Sequence, residues 1–183
     1  MAKLMGTTIC AVNRNGEIAV GGDGQVTMGE SVIFKGNAVK VKRIYNNKVV
    51  VGFAGSVCDA FALSEQFEKM LQQYSGNLMS SAVELAKLWR EGKASRQLEA
   101  MLIVADSENL LIGSGTGDVI SPESGVGAIG SGGNYALAAA RALLANTDLD
   151  AETIVRKSLK VASELCVFTN DHFTVEVIKK EEK

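Results

Sequence analysis

The stretch from Thr7 to Gly29, TTICAVNRNGEIAVGGDGQVTMG, decides the fold class of this chain. Two short β-prone runs, residues 8–12 and 17–21, flank a turn that contains Asn15-Gly16. Asn-Gly between two such runs is the strongest short-range signal for a β-hairpin. The stretch therefore predicts that the body of the protein opens with a hairpin, whose first strand follows a Thr-Thr pair.

Working outward from this hairpin, the pattern predicts further strands and two pairs of helices. The expected strands are at 35–44 with a break at Gly36-Asn37, and at 49–54, 101–105, 110–112, 119–120, 126–129 and 173–178. The expected helices run from 57 to about 75, from an N-cap at Asn77 past Trp89, from 134 to 144 and from about 150 to 165. Strands, two helices, strands and two helices favour an α+β fold built as a four-layer α/β/β/α sandwich.

Length and charge limit what the chain could be. Its 183 residues with 46% hydrophobic content suffice for one substantial core, so we expect a single domain over residues 7–183. Lys and Arg number 19 against 21 Asp and Glu, without a long basic run before the tail. Nucleic acid is therefore not an expected partner.

The cysteines and the N-terminus bear on the compartment. Cys10, Cys58 and Cys166 lie far apart without a CxxC pair, which fits a reducing compartment and argues against disulfides or a thiolate zinc site. Residues 1–6 lack the apolar core of a signal peptide, and no later stretch is apolar enough to span a bilayer. A cytoplasmic protein without a membrane partner is expected.

The chemistry open to the chain is limited by its single histidine, His172, which makes Ser-His-Asp or Cys-His catalysis improbable. A hydrolase would need another base. A free α-amine has a pKa of about 7.7 to 8, so an N-terminal threonine can carry nucleophile and base on one residue. Thr7 is the candidate, if cleavage after Gly6 removes residues 1–6. Gly6 has a permissive backbone and no side chain that would block attack on its carbonyl. The alternative is that Thr7 and Thr8 merely favour a strand.

Three further features allow two interpretations each. Asp23, in a Gly-rich turn, either belongs to an ordinary turn or aims its carboxylate at a cation. Lys40 is either a solvated lysine on an alternating strand or a buried ammonium that tunes Thr7. The loop at 130–133, GSGG before a helix, superficially resembles a phosphate cradle, yet it lacks the GxGxxG and GxxxxGK[ST] patterns. Nucleotide binding through this loop is a rival hypothesis.

Six motifs together resemble the HslV (ClpQ) family of proteasome-related peptidases, over almost the whole chain. They are TTICAV from Thr7, GGDGQVTMG from Gly21, GFAGSVCDAF from Gly52, AVELAKLWR from Ala82, AIGSGGNYALAAARALL from Ala128 and CVFTND from Cys166. The resemblance implies an N-terminal nucleophile (Ntn) hydrolase fold, two stacked hexameric rings, and a partner AAA+ unfoldase hexamer of the HslU (ClpY) type. That partner would use the ATP, control the peptidase allosterically and deliver unfolded proteins.

The resemblance also implies roles for individual residues. The catalytic set would be Thr7 as nucleophile, Lys40 and Asp23 as its tuning pair, Ser131 near the amine, and the Gly52 N–H as oxyanion donor. A structural sodium ion would be held by the backbone carbonyls of Ser163, Cys166 and Thr169, with no catalytic metal. The chain departs from the family pattern at two places. It has one extra residue between 29 and 40, and it has a serine at 163, where glycine is usual.

If the leader stays attached, the chain would instead be a zymogen-like or non-catalytic ring subunit. A more general proteasome β-type subunit, independent of the ATPase, is a further rival.

Overall fold

The computed structural model describes residues 4–6, 8–29, 31–91 and 100–180, with only the backbone given for 4–6, 57–58 and 89–91. The helices are α1 (Val57–Gln73), α2 (Leu78–Glu91), α3 (Gly133–Asn146) and α4 (Ala151–Leu165). The strands are β1 (Leu4–Gly6), β2 (Thr8–Arg14), β3 (Glu17–Gly22), β4 (Val26–Met28), β5 (Val32–Lys35), β6 (Val41–Ile44), β7 (Val49–Ser56), β8 (Ala100–Ala105), β9 (Leu110–Ser114), β10 (Val119–Ile120), β11 (Val126–Gly130) and β12 (Thr174–Lys179).

The opening hairpin is confirmed. β2 and β3 pair in antiparallel register from Ile9 opposite Gly22 to Arg14 opposite Glu17. Asn15 and Gly16 form the turn with φ values of 52° and 77°, the left-handed conformation that the favoured two-residue turns require. Local sequence is sufficient here because the turn chemistry and the strand pattern agree.

The strands form two sheets. In the described residues, β11-β2-β3-β12 make the smaller sheet and β10-β9-β8-β7-β1-β4-β5 the larger, with β6 also paired to β7. β6 pairs with the first half of β7, opposite residues 49–52, whereas β1 pairs with its last residues, Gly55 and Ser56. β6 and β1 therefore follow one another along the same edge of β7.

Three buried clusters separate four layers. One lies between α1, α2 and the larger sheet and includes Phe67 and Leu71. A second lies between the two sheets and includes Ile9 and Ile103. The third lies between the smaller sheet and α3 and α4, where Leu159 is buried. The α/β/β/α sandwich is confirmed.

Helix starts agree with the sequence signals. Asn77 Oδ1 accepts the Ser80 N–H at 2.8 Å before α2, and Asp150 Oδ1 accepts the Thr153 N–H at 2.7 Å before α4. These capping bonds satisfy donors that have no partner inside the helix. Among the described helices, none is both long and apolar enough to cross a membrane.

Some expectations are wrong. The helical spacing of apolar residues predicts that Phe61 of α1 and Leu88 of α2 are buried, yet they are 54% and 49% exposed. The Phe61 ring lies at the edge of α1, with its centroid 6.0 Å from that of Phe53. The side chain of Trp89 lies outside the described residues.

The region 35–44 is not one broken strand. β5 ends at Lys35 and β6 begins at Val41, and residues 36–40 between them belong to neither. The Ala38 N–H donates to Gly24 O at 2.9 Å, so this connection is held against the turn that follows β3. β1, β4 and β5 were not expected at all.

Candidate active site

Thr8, the first described residue of β2, is fully buried and uses all of its hydrogen-bonding groups. Its N–H donates to Asp23 Oδ1 at 3.0 Å, and its carbonyl accepts the Asp23 N–H at 3.2 Å. Its Oγ1 accepts the Gly132 N–H at 3.0 Å and lies 2.7 Å from Thr169 Oγ1. Thr7 itself lies outside the described residues.

Asp23 and Lys40 form a buried ion pair beside Thr8. Lys40 Nζ lies 2.7 Å from Asp23 Oδ1, and the two side chains are 3% and 0% exposed. Nζ also donates to Gln25 O. The second carboxylate oxygen accepts the Gln25 N–H at 2.9 Å and the Asn170 N–H at 3.3 Å. Of the two interpretations of each residue, the structure therefore shows the aimed carboxylate and the buried ammonium.

The electrostatics of Lys40 follow from its position. Burial lowers the pKa of the Lys40 ammonium from its usual 10.5, because the charged form loses its hydration, and the negative charge of Asp23 opposes this shift. An ammonium held in this way disfavours a second positive charge or an added proton nearby. It would therefore favour the neutral form of an α-amine, and the deprotonated form of a hydroxyl, on the residue that precedes Thr8.

The loop at 130–133 closes the site from the other side. Gly130 pairs with Thr8 across the smaller sheet, and the Gly132 N–H is used by Thr8 Oγ1. Ser131, between them, is exposed and lies next to the Thr8 end of β2. The loop packs against the start of β2 and does not form an open phosphate cradle. The nucleotide hypothesis therefore has no support from this loop.

Gly52 does not fit the oxyanion role expected from its motif. It lies in β7 with strand partners on both sides, opposite Val41 of β6 and Ile103 of β8. A Cβ atom at Gly52 would stand 2.7 Å from Ile9 Cγ2, so this glycine allows close packing between the sheets. Gly55, in the same motif, has a φ of 113° and pairs with Gly6.

Residues 4–6, which belong to the segment expected to be removed, form β1 in the larger sheet. Met5 and Gly6 pair with Thr27 and Val26 of β4 on one side. On the other side they pair with Ser56 and Gly55 of β7. Gly6 therefore ends a strand that is paired on both sides, two residues before Thr8, which is anchored at Asp23.

The residues expected to hold a cation lie at and after the C-terminal end of α4. The Cys166 carbonyl accepts the Thr169 N–H at 3.0 Å, and Cys166 and Thr169 are buried. Carbonyls of the last helical turn lack partners within the helix and carry its negative end, which suits a cation. Ser163 is helical and is not among the residues with positive φ, so a serine here causes no backbone strain. The backbone carbonyls of these three residues would be the donors to the sodium ion that the resemblance implies.

Sequence reasoning missed several residues that shape the site, namely Thr8, Gly55 and Asn170, and it missed the side chain of Thr169. The Thr-Thr pair and the Thr169-Asn170 pair in CVFTND were visible. Their roles depend on contacts between segments that are far apart in the chain.

Comparisons with known proteins identify the family and support the fold. The profile of the proteasome subunit family matches residues 4–178. The chain is 58% identical over 173 residues to the ATP-dependent protease subunit HslV of Caldanaerobacter subterraneus subsp. tengcongensis, covering 94% of this chain and 98% of that relative. It is 61% identical over 170 residues to the protein of the same description in Staphylococcus carnosus, covering 93% and 95%. The crystal structure of eukaryotic HslV from Trypanosoma brucei has a TM-score of 0.90 at 46% identity, covering 95% of this chain and 100% of that one.

Proposed function

This chain belongs to the proteasome subunit family and is the threonine peptidase subunit of an ATP-dependent protease, and we propose that Thr7 is its nucleophile. The observation that carries this proposal is the anchoring of Thr8 against the Asp23–Lys40 pair. No other described segment combines a threonine next to a candidate cleavage point with a buried ammonium. The Thr-Thr pair is therefore more than a strand start.

The proposed reaction proceeds through an acyl-enzyme. The Thr7 hydroxyl oxygen bonds to the peptide carbonyl carbon while its proton passes to the Thr7 α-amine, through a water molecule. The C–N bond then breaks, and the proton goes to the leaving amine. Water then adds to the ester carbonyl and gives one proton to the α-amine. The ester C–O bond breaks, the α-amine passes that proton to the Thr7 oxygen, and the second product leaves as a carboxylic acid. Lys40 would favour the neutral amine before each attack, and Ser131, in the loop whose Gly130 pairs with Thr8, would hold the amine or the water.

We propose Gly55, rather than Gly52, as the backbone donor to the oxyanion. Gly55 lies opposite Gly6, whose carbonyl precedes Thr7. As the strand partner of Gly6, Gly55 would bring its N–H beside the carbonyl that is attacked, as an oxyanion donor must. The left-handed φ of 113° also explains why this position is a glycine.

Removal of residues 1–6 would use the same hydroxyl but not the α-amine, which is still the nitrogen of the Gly6–Thr7 amide, and water would carry the hydroxyl proton to that nitrogen. The Thr7 hydroxyl attacks the Gly6 carbonyl, the amide nitrogen leaves as the α-amine, and water hydrolyses the ester that remains. Removal of β1 leaves a gap between β4 and β7 with unpaired strand edges on both sides. We infer that an extended substrate peptide takes the place of β1 by adding a strand to this gap. Until cleavage, the leader both occupies the gap and blocks the amine.

For assembly, we propose two stacked hexameric rings capped by an AAA+ unfoldase hexamer of the HslU type, which spends ATP to deliver unfolded proteins. The exposed edge strand β5 supports a contact between copies of the chain. Ile33 and Phe34 are 64% and 60% exposed, and Val39 nearby is 65% exposed. Apolar side chains on an unpaired sheet edge are costly in water and mark an interaction surface.

Cys10 and Cys166 are free thiols, which supports the proposal that the protein functions in the reducing cytoplasm.

We also propose that a sodium ion binds the carbonyls of Ser163, Cys166 and Thr169. Such an ion supplies a fixed positive charge that holds the turn after α4 in one conformation. It takes no part in bond breaking.

The direct test of the nucleophile is Thr7→Ala, assayed with a fluorogenic peptide in the presence of the partner ATPase. We expect a folded, assembled protein without measurable peptide hydrolysis, because the hydroxyl is gone. Substantial remaining turnover would rule out Thr7. Circular dichroism and sizing of the same preparation show that the variant is folded.

A further inference from the structure

The turn that follows α4 contacts both halves of the site through neighbouring residues. Thr169 Oγ1 lies 2.7 Å from Oγ1 of Thr8, the residue that follows the proposed nucleophile in the sequence. Asn170, the next residue, contacts the segments that carry Asp23 and Lys40. Three segments far apart in the chain therefore meet at one dipeptide.

Asn170 makes four hydrogen bonds, three of them through its side-chain amide. Its Oδ1 accepts the Gly24 N–H at 3.0 Å and the His172 N–H at 3.2 Å. Its Nδ2 donates to Gly36 O at 2.7 Å. Its backbone N–H donates to Asp23 Oδ2 at 3.3 Å. One planar amide thus bridges the turn after β3 and the connection that leads to Lys40.

The bridged segments approach each other very closely. A Cβ atom at Gly24 would stand 2.6 Å from Gly36 O and 3.1 Å from the Cα atom of Asn37. The Ala38 N–H donates to Gly24 O at 2.9 Å, which is a second link between the same segments. Lys40 follows two residues later, so the distance from Nζ to Asp23 depends on how this connection is held.

We propose that the Asn170 side chain is a positioning residue for the Lys40–Asp23 pair. It does not touch the reacting atoms. It fixes the 36–40 connection against the Asp23–Gly24 turn, and thereby places the ammonium at the distance at which it can tune the Thr7 amine. This inference rests on the proposed function of Thr7 and Lys40.

The expected effect is on the chemical step and not on substrate binding. A displacement of about 1 Å at a catalytic group can cost on the order of 100-fold in rate. The gap between β4 and β7 that would take the substrate contains none of the bonds made by the Asn170 amide. Loss of this amide should therefore lower kcat and leave KM nearly unchanged.

Two variants separate the contribution of the amide nitrogen of Asn170 from that of its oxygen. Asn170→Ala removes every side-chain bond. Asn170→Asp keeps the size and the acceptor for the Gly24 and His172 N–H groups, but replaces the donor to Gly36 O by a carboxylate oxygen that repels it. The matched control is Asn146→Ala, since Asn146 Nδ2 also donates to a backbone carbonyl, Ala142 O, at 2.9 Å on the exposed surface of α3.

The experiment measures kcat and KM of the assembled protein with its ATPase, together with thermal unfolding. We expect both Asn170 variants to lose about 10- to 100-fold in kcat with KM within about twofold, while Asn146→Ala keeps the wild-type kcat. Wild-type kcat in both Asn170 variants with only a lower Tm, or failure of both to fold, would reduce Asn170 to a structural residue and overturn the proposal. A wild-type protein without activity would instead contradict the proposed function itself.

Discussion

Lys40 Nζ lies 2.7 Å from Asp23 Oδ1, and both side chains are almost completely removed from solvent. A buried ion pair adds little net stability, because desolvation of two charges offsets most of their attraction. The removal of one partner alone is costly. A pair of this kind beside Thr8 is therefore better explained by its effect on a neighbouring proton than by its contribution to folding.

Lys40→Ala should show this effect on the reaction. We expect kcat to fall by about 100-fold or more, because the amine of Thr7 loses the charge that keeps it neutral. The unpaired Asp23 should also cost about 3–5 kcal/mol of unfolding free energy. The control is Lys87→Ala, which removes a lysine from an exposed pair with Glu84 at 2.6 Å. A near-wild-type kcat in Lys40→Ala would return Lys40 to a structural role.

Asp23→Asn should shift the pH dependence of kcat. Burial lowers the pKa of Lys40 from 10.5 and the charge of Asp23 raises it, so loss of that charge lowers the pKa further. Activity that needs the ammonium is lost as pH rises through this pKa. The basic limb of the profile should therefore move to lower pH in Asp23→Asn. A basic limb that stays in place or moves to higher pH would contradict the assigned coupling.

Gly52→Ala tests the packing between the sheets. The added methyl group would stand 2.7 Å from Ile9 Cγ2 and 3.3 Å from Val20 Cγ1. We expect a loss of about 1–3 kcal/mol in unfolding free energy, measured by chemical denaturation. Gly113→Ala in β9 is the matched control, because nothing lies within 4 Å of its added Cβ. Equal stability of the two variants would argue against a packing role for Gly52.

Ile33→Asp tests the assembly surface. A charge on the 64% exposed Ile33 of the edge strand β5 should prevent ring formation, because desolvation of a carboxylate in a contact is costly. Light scattering should then report a smaller particle than wild type. Ile120→Asp, at a 59% exposed position of β10, is the control that should still assemble. Full rings from Ile33→Asp would remove β5 from the proposed contacts.

Local sequence predicted the parts of the fold that depend on local chemistry. The Asn15-Gly16 turn and the Asn77 cap each act within a few residues, and both were found where expected. Helical spacing identified the buried face of α1 but not its width. The prediction that Phe61 is buried was wrong for this reason.

The remaining features depend on distant partners. β1 is a strand because β4 and β7 pair with it from both sides. Gly52 and Gly55 are equivalent in the motif GFAGSVCDAF, and only the pairing of β7 with β6, β8 and β1 tells them apart. The burial of Lys40 likewise depends on contacts that residues 36–40 make with a turn more than ten residues earlier.

The measurement that tests the account most directly is the intact mass and N-terminal sequence of the purified protein. It is made before and after incubation with a threonine-directed peptide epoxyketone, with and without the ATPase, and with Thr7→Ala as the unlabelled control. We predict a chain that begins at Thr7 and gains the mass of one inhibitor. A chain that still carries Gly6 and stays unlabelled in both conditions would contradict Thr7 as the free N-terminal nucleophile.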